Sequence, residues 1–187
     1  NKDEHKYDNV KNGVWWGYTN REPRFYAWIA FDGGDMGSRI YGGQPLKLEM
    51  RNSELHGYNP SLFNRDNCVT GYLSQKFIEP TFAWTASAEE KQDKPRPLIR
   101  MAELYLNLAE CCAALDEVPQ ALAQLNIVRK RAGIRELTTS DVTDDMPIMK
   151  WVQNERFVEL WGEGHRYYDI RRWMIAPEYM SAGVRRG

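Results

Sequence analysis

The line Ile148, Val152, Glu155 and Glu159 restricts the fold more than any other feature of the sequence. Its spacings are four, three and four, so these side chains share one line of a helix. The line begins apolar and turns acidic halfway. A carboxylate on a core-facing line is costly unless it is paired. Downstream lie Glu163, Arg166, Asp169, Arg171 and Arg172, interleaved with Tyr167, Tyr168 and Trp173. The fold must therefore bring several arginines onto this helix, from Arg156 and the downstream segment and from Arg129 and Arg131 upstream.

Glu155 and Glu159 admit two readings. As a catalytic acid/base pair of the glycoside hydrolase kind they need room for substrate and a perturbed proton affinity. As members of an ion network they need cations. At least as many arginines as acids crowd the segment, which favours the ionised acids. The expectation is a structural network of Arg129, Arg131, Glu155, Arg156, Glu159, Glu163, Arg166, Asp169 and Arg172, with no catalytic residue. His165 has no second histidine at ligand spacing, and Cys68, Cys111 and Cys112 form no zinc-like cluster. No metal and no cofactor is expected. His165 reads as a hydrogen-bonded residue at a helix start, and the cysteines as small buried hydrophobes.

The second half is punctuated as helices. One helix is predicted over about 97–115, with Pro97 in its first turn. It carries two apolar lines: Leu98, Ala102, Tyr105, Ala109 and Cys112, then Met101, Leu104, Leu108, Cys111 and Leu115. Arg100, Glu103, Asn107 and Glu110 leave only a narrow polar stripe, so packing on more than one side is expected. A second helix follows Asp116-Glu117-Val118, with Pro119 near its start and Gly133 at its C-terminal end. The pair resembles one tetratricopeptide-type hairpin, which needs neighbours to form a stable array. A third helix starts around Pro147 and runs to about Trp161. A fourth runs from about His165 to Ile175 and stops at Pro177.

The first half is different. Nine of the fourteen glycines precede Pro95, and periodicity there is poor. Arg24-Phe25-Tyr26-Ala27-Trp28-Ile29 reads as a strand, ending at Asp32-Gly33-Gly34. The 187 residues are 42% apolar and 27% charged, which suits a packed core and excludes a disordered chain. A net charge of -1 gives no reason to expect nucleic acid. No apolar run is long enough for a membrane-spanning helix. The chain opens Asn1-Lys2-Asp3-Glu4 with neither Met nor an apolar leader. It reads as a processed or excised piece.

Four stretches resemble the SusD/RagB family. They are Asn20-Arg21-Glu22-Pro23-Arg24-Phe25-Tyr26, then Thr70-Gly71-Tyr72 with Lys76-Phe77, then Arg100-Met101-Ala102-Glu103 continuing through Leu125-Asn126 to Ala132-Gly133. The fourth is Glu155-Arg156 through Glu163-Gly164-His165-Arg166 to Arg171-Arg172-Trp173. The resemblance implies a predominantly α fold with tetratricopeptide-like hairpins and packed C-terminal helices. The region 1–187 is then a single C-terminal domain, loop-rich and aromatic over 1–95 and helical over 96–180.

The implied role is non-catalytic. Such proteins sit on the outer membrane at the cell surface, held by an N-terminal lipid anchor that this chain does not include. They capture oligosaccharides or polysaccharides for a TonB-dependent, SusC-like transporter. The alternative is a protein-interaction scaffold that caps the transporter without glycan affinity of its own. The motif residues read as scaffold.

Sugar rings offer an apolar C–H face and a hydroxyl rim, so aromatic faces beside planar polar groups suit them. The candidates are Trp15, Trp16, Tyr18, Tyr41 and Trp84 on the loop-rich half, with hydrogen bonds from Asp32, Asp35, Arg39, Asn59 and Asn64. Trp28, Trp151, Trp161 and Trp173 read as core.

Overall fold

The computed structural model describes residues 15–40, 44–51, 56–58, 68–78 and 97–180. The chain divides into two compact units, Asn1–Pro95 and Arg96–Gly187. The fold is predominantly helical, with six α-helices against two two-stranded sheets among the described residues.

In the first unit a 3-10 turn at Trp16–Tyr18 precedes helix α1, Pro23–Trp28. The run predicted as a strand is thus a helix up to Trp28, and only Ile29–Phe31 continues as strand β1. The reason is local. Pro23 occupies the first turn, where its fixed φ suits a helix and its missing N–H costs nothing. Arg24 bonds back to the Glu22 carboxylate at 2.9 and 3.0 Å. The Tyr26 hydroxyl donates to the Tyr18 carbonyl at 2.8 Å, tying the helix to the preceding turn. Trp28 is half-buried rather than core, with the Lys76 ammonium 4.0 Å from its ring centroid.

Strand β2 is Asp35–Ile40, β3 is Gln44–Lys47 and β4 is Tyr72–Ser74. β1 pairs antiparallel with β4, setting Phe31 opposite Tyr72. β2 pairs antiparallel with β3, with an irregularity between Asp35 and Arg39. Ala30, Leu48 and Met50 form a small buried core, with Cys68 packed against it.

In the second unit α2 is Met101–Ala114 and α3 is Val118–Arg131. Only three residues join them, so they run antiparallel. Their core is Ala102, Leu106, Ala109 and Cys112 against Ala121, Leu122, Leu125 and Val128. Beyond α3, the Gly133 N–H donates to the Lys130 carbonyl and the Ile134 N–H to that of Arg129, both at 3.1 Å. Gly133, at φ 71°, supplies the left-handed turn this C-terminal motif requires.

Two expectations for α2 fail. The helix begins at Met101, because Arg100 is extended at its N-cap; Leu98 and Ile99 are exposed. The second apolar line is not packed either: Met101, Leu104, Leu108, Cys111 and Leu115 are all exposed. α3 and α4, Ile148–Glu159, cover only the line through Ala102, Leu106 and Ala109. Cys111 is therefore a surface thiol, while Cys112 is buried.

Helix α5 is His165–Arg172 and α6 is Ala176–Met180. The predicted stop at Pro177 is displaced. The α5 helix ends earlier, where Met174 takes φ 61°, and Pro177 then lies in the first turn of α6. Trp151 and Trp173 are half-buried, Trp151 packing against the helical core, and each indole N–H finds a protein acceptor. Trp151 donates to the Asp141 carbonyl at 2.9 Å and Trp173 to the Glu110 carboxylate at 2.8 Å. Trp161 is half-buried as well.

Candidate functional site

Two constellations compete for a functional role, one in each unit. In the helical unit, Glu155 and Glu159 are buried, Glu159 completely. Arg129 donates to Glu155 at 2.8 Å. Glu159 Oε1 accepts from Arg100 at 2.9 Å and also from Arg131. Arg100 further donates to the Glu159 carbonyl at 3.1 Å and grips both oxygens of Glu163, at 2.8 and 2.7 Å. Burial opposes the Arg100 charge, but the bonds to Glu163 and Glu159 outweigh it and hold its pKa above the ordinary value.

A second knot ties α5 to α2. Arg156 faces the two oxygens of Asp169 at 3.2 and 3.3 Å and donates to Asn107 at 2.6 Å. Arg172 bonds to Asp169 at 2.7 Å and to both oxygens of Glu110. Burial pushes the Glu110 carboxyl up, but Arg172, Trp173 and Arg156 together hold it below the ordinary glutamate range. Donating to Glu110, and to Asp169 beside it, holds the Arg172 pKa above its ordinary value. These acids are committed to guanidiniums, and Glu159 has no exposed surface for a substrate.

Arg166, expected in this network, lies elsewhere. Its guanidinium is 4.3 Å from the ring centroids of both Phe157 and Tyr179. Phe157 follows Arg156, about 100° round α4, on an exposed side away from the acids. The planar cation stacks on the aromatic faces found there. His165 is half-buried, with Nε2 at 3.7 Å from a Glu103 oxygen, beyond hydrogen-bond reach. Among the described residues no His/Cys/Asp/Glu group has the form of a metal site.

The first unit holds the other constellation, a cavity of about 210 Å³. Trp15, Tyr18 and Tyr72 supply aromatic lining, Asp32 and Arg51 supply charge, and Met50, Thr70 and Gly71 complete it. Tyr18 is buried and meets Trp15 and Tyr72 edge-to-face, with centroids 5.0 and 5.8 Å apart. The Asp32 carboxylate accepts from the Met50 N–H and from Arg51 Nε, each at 2.9 Å. That pairing fixes the polar edge beside the rings. Gly17 sets the Trp15 pose: a Cβ at that position would lie 2.2 Å from the indole.

Of the aromatic candidates, Trp15 and Tyr18 share this cavity. Trp16 is described only as backbone of the 3-10 turn, and Tyr41 and Trp84 lie outside the described residues. Asp32 is in the cavity; Asp35 and Arg39 are described only as strand backbone, and Asn59 and Asn64 lie outside. Arg51 and the Thr70-Gly71-Tyr72 stretch, read in the sequence as scaffold where read at all, also line it. The helical unit likewise uses residues the sequence reading left out: Arg100, Asn107 and Glu110. Their signal was the narrow polar stripe of α2, which faces the surplus arginines.

The chain resembles solved structures of much longer proteins. One, described as BT4246, is 50% identical over 97% of this chain and 32% of its own length, with a TM-score of 0.81. A SusD-like protein of Bacteroides fragilis, BF3747, is 31% identical over 86% of this chain and 30% of its own, with a TM-score of 0.71. The SusD-like protein P25 of Formosa agariphila is 36% identical over 116 residues, which is 58% of this chain and 22% of that protein. The chain thus spans about a third or less of the relatives it matches. Among the described residues no helix is long and apolar enough to cross a membrane. Residues 1–186 match the SusD family throughout, and the chain belongs to that family.

Proposed function

We propose that this chain is the part of a cell-surface nutrient-binding protein that carries a glycan contact, and that it performs no catalysis. The complete protein would be lipid-anchored on the outer membrane and pass captured oligosaccharides or polysaccharides to a TonB-dependent, SusC-like transporter. Family membership supports the general role, since SusD-like proteins are generally binding proteins of the outer membrane. The observation that carries the glycan reading is the cavity where Trp15, Tyr18 and Tyr72 stand beside the Asp32–Arg51 pair. Aromatic faces match the C–H face of a pyranose, and the ion pair offers both acceptors and donors to its hydroxyl rim. The burial of Glu155 and Glu159 on arginines supports the non-catalytic half of the proposal.

The test is native affinity electrophoresis of the chain through gels containing soluble polysaccharides, with Trp15→Ala run alongside. Retardation by at least one polysaccharide, reduced in the variant, is expected. Unretarded migration in every gel would remove the glycan reading in favour of a transporter-capping scaffold.

A further inference from the structure

We infer that the cavity in the first unit takes one neutral sugar ring, presented at a chain end or as a branch, rather than the interior of a linear chain. The inference rests on the glycan reading above and narrows it. Size comes first. At about 210 Å³ the cavity falls below the roughly 300–1,000 Å³ of pockets that enclose drug-sized ligands. It encloses about one pyranose, and a second ring in sequence would lie outside it. A groove binding an extended chain needs a row of aromatic platforms. Here the lining rings gather about one buried centre, Tyr18, which Phe31 backs at 4.7 Å and which Trp15 and Tyr72 meet edge-to-face, so Trp15 and Tyr72 are the rings left to face a ligand.

Charge is the second argument. Asp32 and Arg51 are paired at 2.9 Å, and the backbone N–H of Met50 holds the other Asp32 oxygen at the same distance. A uronate brought to Arg51 meets the Asp32 charge beside it. An amino sugar brought to Asp32 meets Arg51. Either ligand must break the pair or sit against a like charge. Neutral hydroxyls avoid both penalties, because each donates to the carboxylate and accepts from the guanidinium. The Gly71 position adds access: a Cβ there would meet nothing within 4 Å among the described residues.

The experiment uses the same gels in matched pairs: galactomannan before and after removal of its galactose branches, arabinan before and after debranching, and xyloglucan against a linear β-glucan. Polygalacturonate and chitosan supply the charged comparison. The expected result is retardation by a branched neutral member, roughly tenfold weaker once debranched, and relieved by the methyl glycoside of the branch sugar. Asp32→Asn and Tyr72→Ala should each weaken that retardation with unchanged far-ultraviolet circular dichroism.

Equal retardation by linear and branched partners, without relief by the monosaccharide glycoside, overturns the inference and leaves glycan capture standing. Stronger retardation by either charged polymer overturns the neutrality argument. Retardation that neither folded variant alters removes the cavity as the site. No retardation by any polymer removes the glycan reading and this inference with it.

Discussion

Arg100 holds Glu159 twice, donating from Nη1 to its carboxylate at 2.9 Å and from Nη2 to its backbone carbonyl at 3.1 Å. One guanidinium thus fixes both a buried charge and the last turn of α4. Because Arg100 is extended at the N-cap of α2, it also determines where that helix begins.

Glu159→Gln should destabilise the chain by about 3–5 kcal/mol, the usual cost of breaking a buried pair from one side. Arg100→Ala should cost a similar amount. Arg131 also contacts Glu159, but its side chain is 57% exposed, so Arg131→Ala should cost about 1 kcal/mol or less. Urea denaturation of the three variants checks the order. A Glu159→Gln protein as stable as the parent would contradict the network.

Glu110 predicts an acid-sensitive junction between α2 and α5. Its folded pKa is lowered, so its contribution is present at neutral pH and disappears as pH falls through the folded value. The parent should lose urea resistance steadily below the ordinary glutamate range. Glu110→Gln should be less stable at neutral pH and show a shallower decline on acidification. Urea midpoints between about pH 7 and about pH 3 measure both effects. Parallel curves for the two proteins would disprove the assignment.

Gly17→Ala should act through Trp15. The added methyl overlaps the indole, so the ring must leave its place against Tyr18. Tryptophan emission should shift, and retardation by the retarding polysaccharide should fall as far as it does in Trp15→Ala. Helical circular dichroism should be unchanged. Normal retardation with a shifted emission would show that Trp15 is not a ligand platform.

The exposed apolar line of α2 predicts self-association. Leu104 and Leu108 are 48% and 50% exposed on a helix face that also carries Met101 and Leu115. Sedimentation velocity should show concentration-dependent association of the parent, abolished in Leu104→Glu/Leu108→Glu. The double variant should keep its stability within roughly 0.5 kcal/mol per site, since neither side chain is core. A parent that stays monomeric at all concentrations refutes this.

What the sequence makes legible depends on whether the signal is local. Helix α3 is readable because Pro119 and Gly133 mark its ends and Ala121, Leu122, Leu125 and Val128 follow the helical period. The acidic line of α4 is readable for the same reason. Its partners are only half readable: Arg129 and Arg131 carry surplus charge, whereas Arg100 and Glu110 resemble an ordinary solvent stripe until α4 and α5 are set against them.

Arg24 to Ile29 misleads because alternating bulky residues suit a strand, and Pro23 with the Glu22–Arg24 pair overrides that preference. The cavity is the least readable part. Trp15 and Tyr18 stand out as aromatics, but Arg51 reaches Asp32 across nineteen residues, and Tyr72 joins Tyr18 from a different strand. No spacing rule links positions that only the tertiary fold brings together.

The doubly held Glu159 also limits how this sequence can drift. An exchange of that acid removes a partner from two arginines at once, and an exchange of Arg100 takes a guanidinium from Glu163 as well as Glu159. Neighbouring neutral sequences are therefore reached through linked changes on α2, α3 and α4, not one residue at a time. The cavity rim, built from separate loop and strand residues, is coupled pairwise, as Asp32 is to Arg51 and Gly17 to Trp15. Its residues can change a pair at a time while the helical half stays locked.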